Sequence, residues 1–139
     1  MKSLLTGLSL LIAGLLSAQT YTVEVQIKNV RSDDGVISAA LYDNADDFPT
    51  KENAYMGIKT EAQENMTLIR FENVPAGKYA MAVLHDENKN DEMDTNFLGI
   101  PQEGYCFSNN ARARFGAPKF DKAAFRVKGD LYTTLFIKY

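Results

Sequence analysis

The feature that most constrains the fold of this chain is an alternation of apolar and polar residues with a period of two. In residues 21–28, Tyr21, Val23, Val25 and Ile27 alternate with polar residues. This spacing is typical of a strand with one buried face, because successive side chains of a strand point to opposite sides. We predict six further strands, at residues 36–42, 54–60, 67–74, 78–85, 124–128 and 131–139.

The order of these strands indicates an all-β fold. Residues 32–35 are predicted to close a hairpin between the first two strands, and residues 75–77 form a second turn. Residues 78–85 are apolar on both faces, which is typical of the middle of a sheet. About seven strands with no long helical period predict an antiparallel, Ig-like β-sandwich with one long ordered loop.

The first 18 residues are predicted to be a signal peptide. Lys2 precedes an apolar run at residues 4–16, and the small residues Ser17 and Ala18 follow. This run is shorter than the roughly 20 residues that a spanning helix needs. We therefore expect cleavage after Ala18, a single domain at residues 19–139, no membrane span, and a location in the periplasm or outside the cell.

Charge and cysteine content exclude two classes of protein. The chain of 139 residues has 15 Lys+Arg and 18 Asp+Glu, and this mildly acidic balance argues against a nucleic-acid partner. A single cysteine excludes an internal disulfide framework. Because Cys106 lies between Tyr105 and Phe107, we expect a buried, inert thiol.

The most informative segment is the long excursion at residues 86–123. It has weak periodicity but many aromatic and aliphatic residues, so we expect an ordered loop with a functional role. Asp86, Asn88, Asn90 and Asp94 have the spacing of positions 1, 3, 5 and 9 of a calcium loop. Position 6 is Asp91 and position 12 is Phe97, where an EF-hand has glycine and glutamate. Both a calcium loop of another type and a metal-free turn fit this pattern.

His85, the single histidine of the sequence, ends the core-facing row of its strand. It is a candidate ligand-binding residue, a candidate general base, or a buried side chain bonded to backbone. A hydrolase site built from His85, Asp86 and Ser108 is a further alternative, although no nucleophile-elbow motif accompanies it.

The second half of the excursion is basic and aromatic. Arg112, Arg114 and Lys119 either pair with the acidic half or bind an anionic ligand. Glu103 and Tyr105 add a polar and an aromatic group, which suit a sugar or peptide site. His85, Glu103, Tyr105, Arg112 and Arg114 are therefore the candidate ligand-binding residues.

A bacterial exported family known as domain of unknown function 2141 (DUF2141) is resembled by five segments of the chain, at residues 82–90, 93–105, 107–110, 115–118 and 120–125. Cys106 and Asp91 stand where this family commonly has glycine-like residues. The resemblance covers essentially all of residues 19–139 and implies no established activity. The turn at residues 73–79 is also similar to a hairpin of transthyretin-like and carboxypeptidase-regulatory-like modules, which are β-sandwiches that usually bind or support other molecules.

We therefore expect an exported, non-enzymatic binding or accessory module that uses the loop face at residues 86–121. Its partner is expected to be a protein or a small ligand of the cell envelope. The alternatives are a structural module stabilised by Ca²⁺, which is the cofactor that the acidic spacing favours, and a hydrolase built on His85.

Overall fold

Eight strands dominate residues 17–139, which are the residues that the computed structural model describes. The strands are β1 (Thr20–Val30), β2 (Val36–Tyr42), β3 (Met56–Glu61), β4 (Asn65–Pro75), β5 (Gly77–Asp86), β6 (Tyr105–Phe107), β7 (Phe125–Val127) and β8 (Leu131–Phe136). A single turn of helix, α1, spans Phe120–Ala123, and short 3-10 turns lie at Lys51–Asn53 and Ser108–Asn110. The predicted signal peptide lies outside the described residues except for Ser17 and Ala18.

The strands form two sheets. The first has the order β4-β1-β8, and the second has the order β3-β2-β5-β6, with β7 also paired to β5. The β1–β8 pair is parallel, and the other strand pairs of the two sheets are antiparallel. The all-β prediction is confirmed, and all seven predicted strands are present with slightly different ends. The short strand β6 was not predicted, because three residues are too few to show alternation.

The hairpin predicted between the first two strands is wrong, whereas the turn predicted at residues 75–77 is present. The turn at residues 32–35 joins β1 to β2, and the turn at residues 75–77 joins β4 to β5, but each turn carries the chain from one sheet to the other. The likeness of residues 73–79 to a transthyretin-like hairpin is therefore not supported by the strand pairing. Turn residues specify that the chain reverses, but they do not specify which sheet the next strand joins.

The inward faces of the two sheets form one apolar core. It contains Val23, Val25, Ile27, Ile69 and Leu135 of the first sheet and Ile37, Leu41, Met81 and Val83 of the second. Burying a side chain of this size contributes roughly 1.5–3 kcal/mol. This core explains the alternation in the sequence, since each strand turns every second residue toward the opposite sheet.

A second, smaller cluster covers one end of the outer face of the second sheet. It consists of Tyr42, Phe48, Ala80, Phe120 and Ala123, and Phe48 contacts three aromatic rings edge-on. The central position of β5 and its two apolar faces are therefore both confirmed. The excursion at residues 86–123 is ordered, as predicted, because α1 and β6 pack against β5. No helix within residues 17–139 is long and apolar enough to span a bilayer.

Candidate functional site

A groove runs across the outer face of the second sheet, beside the small aromatic cluster. Its floor consists of two neighbouring cross-strand rows, Gly57–Ala40–Ala82–Phe107 and Lys59–Ser38–Leu84–Tyr105. The residues in the middle of both rows are small or aliphatic. Because outward side chains are short on the two central strands, the sheet surface is recessed there.

Two loops form the walls of this groove. One wall is the loop at residues 43–54, which contributes Pro49, Lys51 and Glu52, and the other is the loop at residues 87–94, which contributes Asp91, Glu92 and Met93. The groove has a volume of about 430 Å³. Ligand sites in proteins commonly have volumes of roughly 300–1,000 Å³ and mainly apolar linings. The groove therefore has the size and lining of a small-molecule site.

The two walls are joined to each other by a lysine. Lys51 Nζ donates to the backbone oxygen of Asp91 at 2.7 Å and lies 3.5 Å from the carboxylate of the same residue. Lys59 Nζ also pairs with the Asp91 carboxylate. The hydrogen bond from Lys59 lowers the pKa of Asp91, and the charge of Lys51 contributes. These contacts connect the loop at residues 43–54 and the strand β3 to the loop at residues 87–94.

Asp86 fixes the loop at residues 87–94 from below. It is fully buried at the end of β5, and its Oδ1 and Oδ2 accept the backbone N–H groups of Asn90 and Asp91 at 3.1 and 2.9 Å. Asp91 adopts a left-handed conformation with φ of 66°. This loop curls around the Asp86 carboxylate, which therefore positions the groove wall.

The other three predicted calcium ligands lie together in the same loop. Asn88 Nδ2 and Asn90 Nδ2 donate to the two carboxylate oxygens of Asp94 at 2.5 and 2.8 Å. Both asparagine Oδ1 atoms accept backbone N–H groups. Among residues 17–139, no three His, Cys, Asp or Glu side chains are grouped so that they could hold a metal ion. In this conformation the oxygens are bonded within the loop.

Glu103 binds the backbone at both ends of the loop at residues 87–94. Its Oε1 accepts the N–H of Glu87 at 3.0 Å, and its Oε2 accepts the N–H of Asp94 at 3.2 Å. Only 4% of Glu103 is exposed, and burial raises the pKa of its carboxyl, with the charges of Asp94 and Asp86 adding to the effect. Glu103 therefore positions the loop, and its predicted ligand-binding role stays a prediction.

His85 is also a positioning residue. Its ring is fully buried, with Nε2 2.7 Å from the carbonyl oxygen of Asp34 and Nδ1 2.7 Å from the hydroxyl of Tyr139. A carbonyl only accepts, so Nε2 carries the proton, and in the neutral ring Nδ1 accepts from Tyr139. Both ring nitrogens are therefore engaged by the protein itself. This is the buried, hydrogen-bonded arrangement that was one of the alternatives for His85.

The side chains of the hypothetical hydrolase site are bonded elsewhere. The Ser108 hydroxyl accepts the N–H of Met81 at 2.8 Å and donates to the carbonyl oxygen of Ala123. His85 bonds Tyr139 and Asp34, and Asp86 bonds its own loop. His85, Asp86 and Ser108 therefore do not form a hydrogen-bonded triad.

The basic half of the excursion does not pair with its acidic half. Neither Arg112 nor Arg114 forms a salt bridge within residues 17–139. In the acidic half, Glu87 pairs with Arg31, and Asp91 pairs with Lys51 and Lys59. Arg112 lines a separate small crevice beside β6, and Arg114 is exposed beside the ring of Phe115. Of the five predicted ligand-binding residues, only Tyr105 lines the groove.

A second exposed feature lies at the tip of the excursion. Thr95 and Pro101 form a β-bridge, and the Asn96 side chain accepts the N–H groups of Leu98 and Ile100. This small structured loop presents Phe97 with 95% of its surface exposed. The tip is therefore held in place by hydrogen bonds while its apolar side chains face solvent.

The sequence did not indicate that the loop at residues 43–54 and the floor of the groove belong to the candidate site. The signal for the floor was present, because Ser38, Ala40 and Ala82 alternate with bulky inward residues in two predicted strands. A recessed surface follows from such small outward residues only when the two strands are neighbours. That pairing became visible in the register of β2 and β5.

Comparison with known proteins identifies the family. Residues 25–134 match the model of a family described as an uncharacterized protein conserved in bacteria (DUF2141), and the chain belongs to this family. The resemblance inferred from the sequence is thereby confirmed. No curated protein and no solved structure matches the chain.

Proposed function

We propose that this protein is an exported, non-enzymatic binding module that holds a ligand in the groove on the outer face of its second sheet. The observation that carries the proposal is the recess of about 430 Å³ over Ala40 and Ala82. Its walls include Asp86, Met93, Tyr105 and other residues of the excursion at 86–121, which the sequence analysis singled out. The proposed binding face at residues 86–121 thus includes one wall of a groove with a defined shape.

The arrangement of polar groups favours binding over catalysis. The titratable side chains below the loop, His85, Asp86 and Glu103, are buried and hydrogen-bonded by the protein. The carboxylates of Asp86 and Glu103 accept backbone N–H groups of the loop at residues 87–94, and His85 ties the end of β5 to Asp34 and Tyr139. A rigid wall of this kind preorganises a binding surface, which reduces the ordering cost of association.

A library screen by NMR tests this proposal. We expect some small molecules to shift the backbone amides of Ala40, Ala82 and Tyr105, and to be recovered chemically unchanged. Ala82→Phe fills the floor and is expected to abolish these shifts, whereas Leu68→Phe on the other sheet leaves them intact. Ligands that bind both variants equally would contradict the groove, and chemical conversion of a ligand would contradict a non-enzymatic role.

Export is supported by the pattern of Lys2, the apolar run at residues 4–16 and the small residues Ser17 and Ala18. Expression of the full chain in a bacterium, followed by fractionation and intact-mass measurement, tests it. We expect a mature form that begins at Gln19 outside the cytoplasm. An unprocessed cytoplasmic form would contradict export.

Calcium binding is a second candidate function for the loop at residues 86–94. The specific observation in its favour is that Asp91, at the sixth position, has φ of 66°, where calcium loops use glycine to turn. The Asn88 and Asn90 amides must rotate away from Asp94 to present oxygens. Thermal unfolding in increasing CaCl₂ tests the idea, since a ligand of the native state raises the melting temperature. No rise, or a rise retained in Asp94→Ala, would exclude it.

A further inference from the structure

We propose that the groove selects a cationic ligand with an apolar body, such as an organic ammonium or guanidinium compound. This inference rests on the proposed binding function and adds the chemical class of the ligand. Its basis is the combination of an apolar floor with walls of net negative charge.

The floor supplies the apolar half of the recognition. Ala40, Ala82 and Leu84 form its centre, and the rings of Tyr105 and Phe107 form one side, with their centroids 6.0 Å apart. Hydrocarbon placed here leaves water, which favours binding in proportion to the apolar area that is buried. Aromatic ring faces are also favourable neighbours for a cation.

The walls supply the charge. Each wall segment, residues 43–54 and residues 87–94, carries four carboxylates and one lysine. Walls with a net negative charge around an apolar recess focus the electrostatic field and raise the local concentration of cations. A cation is therefore attracted to this groove and an anion is repelled.

The positive charges near the groove are already engaged. Lys51 and Lys59 pair with Asp91, and Lys89 pairs with Glu61. Glu52 and Glu92 line the groove, and neither forms a salt bridge within residues 17–139. These two carboxylates are the groups that an ammonium would meet at the rim.

A matched series of three ligands tests the inference, namely 4-phenylbutylamine, 4-phenylbutan-1-ol and 4-phenylbutyrate. They share one apolar body and differ in end-group charge. We expect the amine to bind about three- to tenfold more tightly than the alcohol at low salt, and the carboxylate more weakly still, as followed by amide shifts at Ala40 and Ala82. The preference for the amine should shrink as salt is added.

Two double variants separate charge from shape. In the double variant with Glu52→Gln and Glu92→Gln, we expect the affinity for the amine to fall to the affinity for the alcohol. The affinity for the alcohol itself should not change. The control double variant with Glu64→Gln and Glu72→Gln removes two exposed carboxylates outside the groove. It should change neither the affinity for the amine nor the affinity for the alcohol. Ala82→Phe should abolish binding of all three ligands, and Ser38→Tyr serves the same purpose if Ala82→Phe does not fold.

The possible outcomes distinguish this inference from the proposed function. Groove shifts with equal affinity for amine and alcohol, or with the carboxylate bound most tightly, overturn the cationic preference but leave the groove as a binding site. Amine binding that survives Ala82→Phe, or that causes no shifts in the groove, overturns the cationic site there. Absence of any binding by the three ligands overturns the inference, and the library screen then decides the proposed function by itself.

Discussion

The hydroxyl of Tyr139 lies 2.7 Å from Nδ1 of His85, although 54 residues separate the two in the sequence. The same hydroxyl accepts the backbone N–H of Arg31, and the Arg31 guanidinium lies 4.3 Å from the centre of the Tyr139 ring. His85 Nε2 reaches the carbonyl oxygen of Asp34. This chain of bonds ties the end of β5 to the β1–β2 connection, beneath the loop that forms one wall of the groove.

Removal of the Tyr139 hydroxyl should weaken the fold. Tyr139→Phe leaves His85 Nδ1 buried without a partner, so we expect the free energy of unfolding to fall by about 1–3 kcal/mol. Tyr132→Phe is the matched control, since Tyr132 is exposed on β8. Urea denaturation measures both variants, and equal losses would contradict a specific role for the Tyr139 hydroxyl.

Acid should weaken the Arg31–Glu87 contact. Two hydrogen bonds, at 2.6 and 2.9 Å, join the guanidinium to the carboxylate, and they lower the pKa of Glu87 from its ordinary value of 4.5. The stabilisation is therefore fully present above that value and is lost as the pH falls through the lowered pKa. We expect the stability difference between the wild type and Glu87→Gln to shrink on acidification from about pH 7. Urea midpoints measured across this range test it, and a difference independent of pH would contradict it.

Gly35 should be much less tolerant of alanine than Gly99. Both have positive φ, but a Cβ at Gly35 would lie 2.0 Å from the carbonyl oxygen of Asp86, whereas a Cβ at Gly99 meets nothing within 4 Å. We expect Gly99→Ala to cost about 1–2 kcal/mol and Gly35→Ala about 2–5 kcal/mol. Denaturant unfolding measures the free energy of unfolding of both variants. Because both substitutions strain the backbone, the difference between their costs reports the clash with Asp86. Equal costs would mean that the β1–β2 connection moves freely away from Asp86.

Cys106 should be inert in the folded protein. Burial raises the pKa of its thiol to about 12, so almost no thiolate exists at neutral pH. We expect Ellman's reagent to react only as the protein unfolds in urea. A variant with Cys106→Ala and an exposed Tyr132→Cys should react at once. Rapid reaction of the native wild type would contradict the burial of this thiol.

The apolar tip should contribute nothing to stability. Phe97 is almost fully exposed, while Phe48 packs against Tyr42, Phe107 and Phe120. We expect Phe97→Ala to change the unfolding free energy by less than about 0.5 kcal/mol, and Phe48→Ala to lower it by about 3–5 kcal/mol. Calorimetry of the two variants checks this contrast. A large loss in Phe97→Ala would show that the tip packs on the domain in solution.

The candidate site was only partly predictable from the sequence. The spacing of Asp86, Asn88, Asn90 and Asp94 identified the loop that forms one wall, and Tyr105 was identified as a lining residue. The other wall, at residues 43–54, contains no comparable motif. It lies over the groove because Lys51 reaches Asp91, a contact between segments 40 residues apart.

The sequence by itself determined seven of the eight strands, the inward face of several of them, the central position of β5, the burial of Cys106 and the family. These properties follow from local alternation, side-chain size and motif, which a linear chain displays directly. Only the tertiary structure decided that β1 and β2 lie in different sheets, that β8 runs parallel to β1, and which groups His85 and Glu103 bond. Strand partners are chosen by the joint packing of distant apolar faces, and the destination of a polar side chain depends on which distant backbone groups that packing brings within hydrogen-bond reach.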